Sequence, residues 1–170
     1  LIWRAMLQWL GGIGIIVIAI AIFPILKIGG MQLFQSEFSS KEEKVLPRTT
    51  KIATGIGLVY LFLTIICSFS LFATGMPGFD SVAHGMTIIA TGGFSTKDMS
   101  IGFFDSVYIE VITIFFMILS SLPFILLFQS IRGKLIDLVT SSQVRFFLIL
   151  ILSVTILVAF WLKRYYEVDF

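Results

Sequence analysis

Four stretches of this chain are long and apolar enough to cross a lipid bilayer as helices. They cover residues 5–26, 52–73, 103–128 and 146–162, and each meets the length of about 17–25 residues that a hydrocarbon core requires. Hydrophobic residues make up 58% of the chain and charged residues 13%, whereas soluble domains have about a quarter charged residues. The sequence therefore predicts an all-α integral membrane protein with four transmembrane helices.

The segment between the second and third stretches, residues 77–102, is too polar to span a membrane and too apolar for a solvated loop. Its first part, from Asp80 to Ala90, predicts a helix of about 15 Å, half the thickness of a bilayer. Asp80 is the expected N-cap of this helix, after Pro77. We therefore predict a re-entrant segment, in which a short helix enters the membrane and the chain then returns to the same side.

A glycine-paired loop, residues 90–96, follows the short helix. Two consecutive glycines disfavour a helix by about 1 kcal/mol each and permit other backbone angles. Non-helical backbone at membrane depth survives only where protein buries it or where it lines a water-filled path. We expect four carbonyl groups to replace the water shell of K⁺, as in a potassium-type filter: those of Ala90, Thr91, Gly92 and Gly93. Residues 94–96 are expected to pack and hydrogen-bond behind them. The alternative is a flexible turn between two spans.

The distribution of basic residues predicts the orientation. The connections at 27–51 and 130–145 contain five and three Lys/Arg residues, and the re-entrant segment contains only Lys97. The positive-inside rule assigns the two basic connections to the cytoplasm, so both ends of the chain and the re-entrant segment lie on the outer side. The C-terminal end of the short helix then points to the middle of the membrane, where its negative dipole end favours a cation.

Other residue types narrow the function classes. The formal net charge of +2 and the lack of a basic cluster argue against nucleic acid binding. No catalytic Ser/His/Asp set, zinc-protease motif or phosphate-binding motif occurs, so we expect neither an enzyme nor an organic cofactor. Cys67 is the only cysteine and His84 the only histidine. A disulfide is therefore not expected, and His84 is expected to pack rather than bind a metal.

Three acidic residues lie near the predicted outer mouth. Asp98 and Asp105 are expected to raise the local cation concentration. For Glu110 we favour a structural hydrogen bond or a pair with Arg4 over direct contact with an ion. A patch of small residues is expected to allow close helix packing: Gly11, Gly12 and Gly14.

Motifs spread along nearly the whole chain point to a known family. They are Trp3-Arg4, residues 8–15, Pro24, residues 28–34, Glu37, Pro47-Arg48 and residues 90–96. The set resembles the Trk/Ktr/HKT superfamily of potassium transporters, and in particular the bacterial TrkH-type potassium uptake subunit. That resemblance implies a potassium-channel-like protein in one polypeptide, with four repeats of outer helix, pore loop and inner helix around a central pathway.

The resemblance also implies how the chain divides. Residues 1–30 would be the inner helix of a preceding repeat, and 52–130 a complete repeat with its filter at 90–94. Residues 146–170 would be the outer helix of a following repeat, with cytoplasmic loops at 31–51 and 131–145. The chain is thus expected to be an internal fragment, with the remaining repeats outside it.

The family likeness further implies partners and a location. A homodimer in the bacterial inner membrane is expected, surrounded by lipid and served by a cytosolic nucleotide-binding regulatory subunit that residues 41–44 could contact. One departure concerns Pro123, where related repeats often have Asn. We expect a kink there, with Ser120 and Ser121 bonding the freed carbonyl groups.

Three functions are compatible with these observations. The first is uptake of K⁺ through the carbonyl-lined loop. The second is a short cation channel subunit that forms tetramers, which four spans around one loop argue against. The third is a non-conducting membrane anchor or assembly protein, in which Gly92 and Gly93 only let helices pack.

Overall fold

A computed structural model describes residues 1–26, 45–131, 133 and 135–166, and every regular element in these ranges is helical. The α-helices are α1 (Ile2–Leu26), α2 (Val45–Ala73), α3 (Gly78–Ile89), α4 (Val107–Ser120), α5 (Phe124–Ile131), α6 (Leu135–Thr140) and α7 (Ser142–Tyr166). A short 3-10 helix, Ser100–Phe104, precedes α4. The prediction of an all-helical chain is confirmed for these ranges. The motifs at 28–34, Glu37 and 41–44 lie outside the described residues.

The chain forms two compact units. The first, Leu1–Ile125, contains the predicted loop, and the second, Leu126–Phe170, contains α6 and α7. In the second unit, the guanidinium of Arg145 donates a hydrogen bond of 2.6 Å to the carbonyl of Thr140 and so closes the turn between α6 and α7.

Among the described helices, two are long and apolar enough to span a membrane individually: Ile52–Ala73 within α2 and Ser142–Tyr165 within α7. Both correspond to predicted stretches. Helix α2 begins at Val45, earlier than predicted. Residues 45–51, which were expected to belong to a loop, are therefore helical. The stretch predicted at 5–26 lies in α1, a continuous helix of 25 residues.

The prediction of one continuous helical span at residues 103–128 is wrong in its bounds. Helix α4 begins only at Val107 and ends at Ser120, and α5 resumes at Phe124 after a bend of 97°. The expected distortion at Pro123 is therefore a complete break, since proline has no N–H for the helix ladder. The hydroxyl groups of Ser120 and Ser121 were expected to bond the carbonyl groups freed by Pro123, but both donate to the carbonyl of Met117, at 3.1 and 2.8 Å. That carbonyl also accepts the N–H of Ser121 at 3.2 Å, so it is not one that the proline leaves free.

The core of the first unit lies where α3 packs against α2 and α4. Its buried residues are Tyr60, Cys67, Leu71, Met76, Ile88, Ile89, Ile109 and Phe116. Helices α3 and α2 approach each other closely at Gly85, because a Cβ built there would overlap the hydroxyl of Ser68 and lie 3.1 Å from its Cα. The core thus holds α3 at a fixed position, and the predicted loop follows directly from the end of α3.

Candidate ion-coordinating loop

Helix α3 ends in a Schellman motif, which leads the chain into the predicted loop. The N–H of Gly92 donates to the carbonyl of Thr87 at 2.8 Å, and the N–H of Thr91 donates to that of Ile88 at 3.0 Å. This pair of bonds is the 6→1 and 5→2 pattern that closes a helix C-terminus. The last turn of α3 therefore has its orphan carbonyl groups partly satisfied before the loop begins.

The residue that turns the chain is a threonine rather than a glycine. Thr91 has a φ of 51°, in the left-handed region, at the position where a Schellman motif usually has glycine. A residue with a Cβ pays roughly 1–2 kcal/mol in that region, and β-branched residues are rarely found there. The loop therefore stores backbone strain at Thr91, which the sequence pattern did not reveal.

The two glycines serve different purposes. Gly93 has a φ of 72°, which favours glycine directly, and a Cβ there would meet nothing within 4 Å. Gly92 has no positive φ, but a Cβ on it would overlap the amide oxygen of Gln8 and lie 3.1 Å from the Cβ of Gln8. Gly93 thus permits a conformation, whereas Gly92 permits a close approach by α1.

Gln8 also binds the loop. Its Nε2 donates a hydrogen bond of 2.9 Å to the carbonyl of Gly92. The carbonyl groups of Ala90, Thr91 and Gly93 accept no hydrogen bond from any residue in the described ranges. Thr91 and Gly93, whose carbonyl groups are unbonded, are exposed residues, so water or a ligand can reach this part of the loop.

Helix α1 is fixed against the start of the loop by packing and hydrogen bonds. A Cβ on Gly12 would lie 2.8 Å from the hydroxyl of Tyr60 and 3.4 Å from Ala90. The hydroxyl of Tyr60 donates to the carbonyl of Trp9 at 2.9 Å, and Nε1 of Trp9 donates to Thr64 at 3.0 Å. Of the predicted small-residue patch, only Gly12 has a close neighbour: a Cβ on Gly11 or Gly14 would meet no described atom within 4 Å.

The chain after the loop runs back along α3, so it reverses direction at residues 90–93. Nδ1 of His84 lies 2.7 Å from the carbonyl of Asp80, and its Nε2 lies 2.9 Å from Oγ of Ser95. Because a carbonyl can only accept, the neutral ring has its proton on Nδ1, and the Ser95 hydroxyl donates to Nε2. His84 is 2% exposed and has the packing role predicted for it, as does Ser95.

Asp80 does not cap α3, which corrects the sequence prediction. The N-cap is Pro77, and the Asp80 carboxylate instead accepts a hydrogen bond of 2.6 Å from the Thr96 hydroxyl. Its second oxygen lies 3.3 Å from Nζ of Lys97. Burial of the carboxyl group raises its pKa, but hydrogen bonds from Thr96 and Lys97, with the positive charge of Lys97 among the further contributions, lower it, and the pKa lies below its usual value. These contacts tie the returning chain to the first turn of α3.

The remaining predicted residues lie apart from this network. Asp98 and Asp105 are exposed. The expected pair between Glu110 and Arg4 is not formed: the Arg4 guanidinium lies 4.9 Å from the ring centroid of Phe94. The side chain of Glu110 is exposed and makes no hydrogen bond or ion pair within the described part of the chain. Arg4 therefore contributes to packing the loop from α1.

In chemical terms, the loop presents neutral oxygen atoms and no charged side chain. Within the described residues, no group of three or more His, Cys, Asp or Glu side chains is arranged to bind a metal ion. Carbonyl oxygens are suited to a weakly bound cation that must enter and leave, rather than to a tightly held one.

Comparisons with known proteins identify sequences similar to this chain. Residues 1–163 match the sequence model of a family described as "TrkH: Cation transport protein". The chain is 45% identical over 136 residues to the Trk system potassium uptake protein TrkH of Salmonella typhimurium, covering 79% of this chain and 28% of that protein. It is 40% identical over 161 residues to TrkI of Halomonas elongata, covering 94% of this chain and 33% of that protein.

A solved structure is similar as well. The crystal structure of the potassium transporter TrkH from Vibrio parahaemolyticus matches with a TM-score of 0.82 and 33% identity, over 99% of this chain and 34% of that one. The chain thus spans about a third of the length of the relatives that it matches.

Proposed function

The chain belongs to the TrkH family of cation transport proteins, and on this premise we propose that it contributes one quarter of a potassium filter to a K⁺ uptake protein of the membrane. K⁺ is the substrate, and its ligands are the backbone carbonyl oxygens of Ala90, Thr91, Gly92 and Gly93. Named relatives are potassium uptake proteins rather than enzymes, and no catalytic step is involved.

The observation that supports this proposal most is the set of uncommitted carbonyl groups at the end of α3. Those of Ala90, Thr91 and Gly93 accept no hydrogen bond from a described residue, although the adjacent carbonyls of Thr87 and Ile88 do. Backbone oxygens in this state must be satisfied by water or a ligand. A dehydrated K⁺ in single file provides that ligand, and four such repeats would complete its shell.

The proposed membrane arrangement follows the sequence analysis. Helices α1, α2 and α7 each cross once, α4 and α5 together form the fourth crossing, and α3 with its loop is re-entrant from the outer side. The negative end of the α3 dipole then points to the middle of the membrane and favours a cation there. Exposed Asp98 and Asp105 attract cations to the outer mouth.

We propose the inner membrane of a bacterium as the location, with both ends of the chain on the outer side. Relatives are named as parts of a Trk system, which agrees with a complex of several components. The proposed partners are the remaining repeats of the parent chain, a second copy in a homodimer, membrane lipid and a cytosolic nucleotide-binding regulatory subunit.

Uptake of K⁺ by the full-length parent tests the filter assignment. The assay uses a bacterial strain without its own K⁺ uptake systems, and it measures growth at low K⁺ and direct K⁺ uptake. Gly92→Ser places a side chain against Gln8 and displaces the loop backbone, so uptake should fall at least about tenfold, the effect of losing about 1.4 kcal/mol of ion stabilisation.

Gly102→Ser is the matched control, because a Cβ on Gly102 would meet no described atom within 4 Å and its φ is not positive. It should transport normally. If Gly92→Ser leaves both uptake and the preference for K⁺ over Na⁺ unchanged, the filter assignment is wrong and the loop is a packing turn.

A further inference from the structure

The hydrogen bond between Gln8 and Gly92 joins the loop to a helix 84 positions earlier in the chain. Gln8 lies on α1, which the sequence analysis assigns to a different repeat from the loop. Gly12 and Arg4 of α1 also pack on the loop, at Ala90 and Phe94. The loop's other hydrogen bonds lie within its own repeat and join side chains, His84 with Ser95 and Asp80 with Thr96. Gln8 is therefore the described side chain that connects one repeat's helix to the carbonyl row of the next.

The approach of Gln8 is close and explains why residue 92 is glycine. A Cβ on Gly92 would overlap the Gln8 amide oxygen and lie 2.5 Å from its Cδ. Since the φ of Gly92 is not positive, backbone conformation alone does not require glycine at this position. The missing side chain makes room for the Gln8 amide, which reaches the carbonyl oxygen directly.

If Gln8 only supported the fold, its buried amide would lower the stability of the protein relative to an apolar side chain. Its Oε1 is buried and has no hydrogen-bond partner among the described residues. A buried polar atom left in this state costs about 1–3 kcal/mol, roughly as much as or more than a single hydrogen bond contributes. An apolar side chain of the same length would avoid that cost, so stability does not account for the amide.

The position of Gln8 is well determined. The next residue, Trp9, is held by two hydrogen bonds to α2, and Gly12, one turn later, packs on Ala90. The backbone of α1 is thus fixed next to the loop, and this holds the Gln8 amide within hydrogen-bond distance of the Gly92 carbonyl.

We propose that Gln8 is a positioning residue for ion selection, which rests on the function proposed above. Its N–H group occupies one lone pair of the Gly92 carbonyl and leaves the other for the cation. The bond restrains the rotation of that carbonyl, and the positive N–H partly offsets the field of the oxygen. Both effects disfavour Na⁺, which gains more than K⁺ from a ring that contracts and from a stronger ligand field.

The test compares variants of the full-length parent in proteoliposomes, with K⁺ and Na⁺ uptake measured separately. Gln8→Leu removes the donor and also the orphan oxygen, and Gln8→Glu removes the donor while keeping the length of the side chain. Both should lower the ratio of K⁺ to Na⁺ uptake by about tenfold, which corresponds to the loss of one hydrogen bond of about 1.4 kcal/mol. The thermal unfolding midpoint of Gln8→Leu should not fall.

Gly11→Ala is the control on the same helix. A Cβ on Gly11 would meet no described atom within 4 Å and its φ is not positive, so this variant should change neither the unfolding midpoint nor the uptake ratio. If Gln8→Leu instead keeps the wild-type ratio while Gly92→Ser loses transport, Gln8 has no role in selection although the filter assignment stands. A Gln8→Leu variant that unfolds at lower temperature with an unchanged ratio also overturns the proposal, since Gln8 is then structural.

A double-mutant cycle separates Gln8 from the filter assignment. If Gln8 acts through Gly92, the effects of Gln8→Ala and Gly92→Ala on the uptake ratio should be strongly non-additive, because the two groups touch. Additive effects would contradict the proposal. If neither Gln8→Leu nor Gly92→Ser changes the uptake ratio or the rate, the loop is not a filter, and both proposals fail.

Discussion

The contact between Gly85 and Ser68 makes a quantitative prediction about the support of the loop. A Cβ on Gly85 would overlap the Ser68 hydroxyl and lie 3.0 Å from its Cβ and 3.1 Å from its Cα. The hydroxyl can rotate away, but the two carbon atoms cannot. Carbon atoms pack best at about 3.5–4.0 Å, so Gly85→Ala forces α3 away from α2 by roughly 0.5–1 Å. Overpacking of this kind costs about 1–3 kcal/mol.

The expected result is a lower free energy of unfolding and a loss of transport together. Because α3 ends directly in the loop, its displacement moves the carbonyl groups by a similar distance. The assays are thermal unfolding of the purified full-length parent in detergent and K⁺ uptake in proteoliposomes. Gly57→Ala is the matched control, since a Cβ there would make an ordinary contact of 3.6 Å with Cδ1 of Ile13.

Variants at Ser68 test whether the backbones of α2 and α3 meet at Gly85. Ser68→Ala removes only the hydroxyl and should restore little of the stability lost in Gly85→Ala. Ser68→Gly also removes the Cβ and should restore more of it. Full rescue by Ser68→Ala, or wild-type stability of Gly85→Ala alone, would refute the claim that the helix backbones meet at this point.

Two further predictions concern the loop itself. Gly93 has a φ of 72° and open space around its Cβ, so Gly93→Asn should retain more K⁺ uptake than Gly93→Val, because Asn tolerates the left-handed region and β-branched residues do not; equal uptake would contradict a backbone requirement. Asp80 has a lowered pKa in the folded protein, so its contribution to stability is present above the unfolded-state pKa of about 3.9 and is lost as the pH falls through the folded-state pKa. The test is thermal unfolding measured from pH 7 downward. Asp80→Asn should be less stable than wild type at neutral pH, by about 1–3 kcal/mol, and this difference should shrink in acid. A difference that does not depend on pH would contradict the ion pair with Lys97.

Local sequence patterns predicted the elements of this chain better than their ends. The apolar stretches at 52–73 and 146–162 correspond to helices, because hydrophobic length alone determines what can span a membrane. The break at Pro123 followed from the missing N–H of proline. Helix starts were less accurate, and Asp80 was wrongly assigned as an N-cap, since a first-turn carboxylate can equally bind a distant partner such as Thr96 or Lys97.

The position of the loop was predicted, but the contacts that shape it were not. The glycine pair marked the loop, whereas the left-handed Thr91 was missed because propensity assigns that conformation to glycine. Gln8 lies in the family motif at residues 8–15, but the sequence predicted no role for its side chain. Nothing in its local sequence indicates a partner 84 positions away, because side-chain reach between helices depends on their packing.

The sequence by itself determined the environment, the helical class and the position of the loop. Each of these follows from hydrophobicity, glycine content and proline position, which are properties of short segments. The tertiary structure alone decided which backbone groups are occupied and which are open. It also gave the two glycines separate purposes: Gly93 adopts a backbone angle that side chains disfavour, and Gly92 leaves room for Gln8. These outcomes depend on distances between helices, which are set only when α1, α2 and α3 pack together.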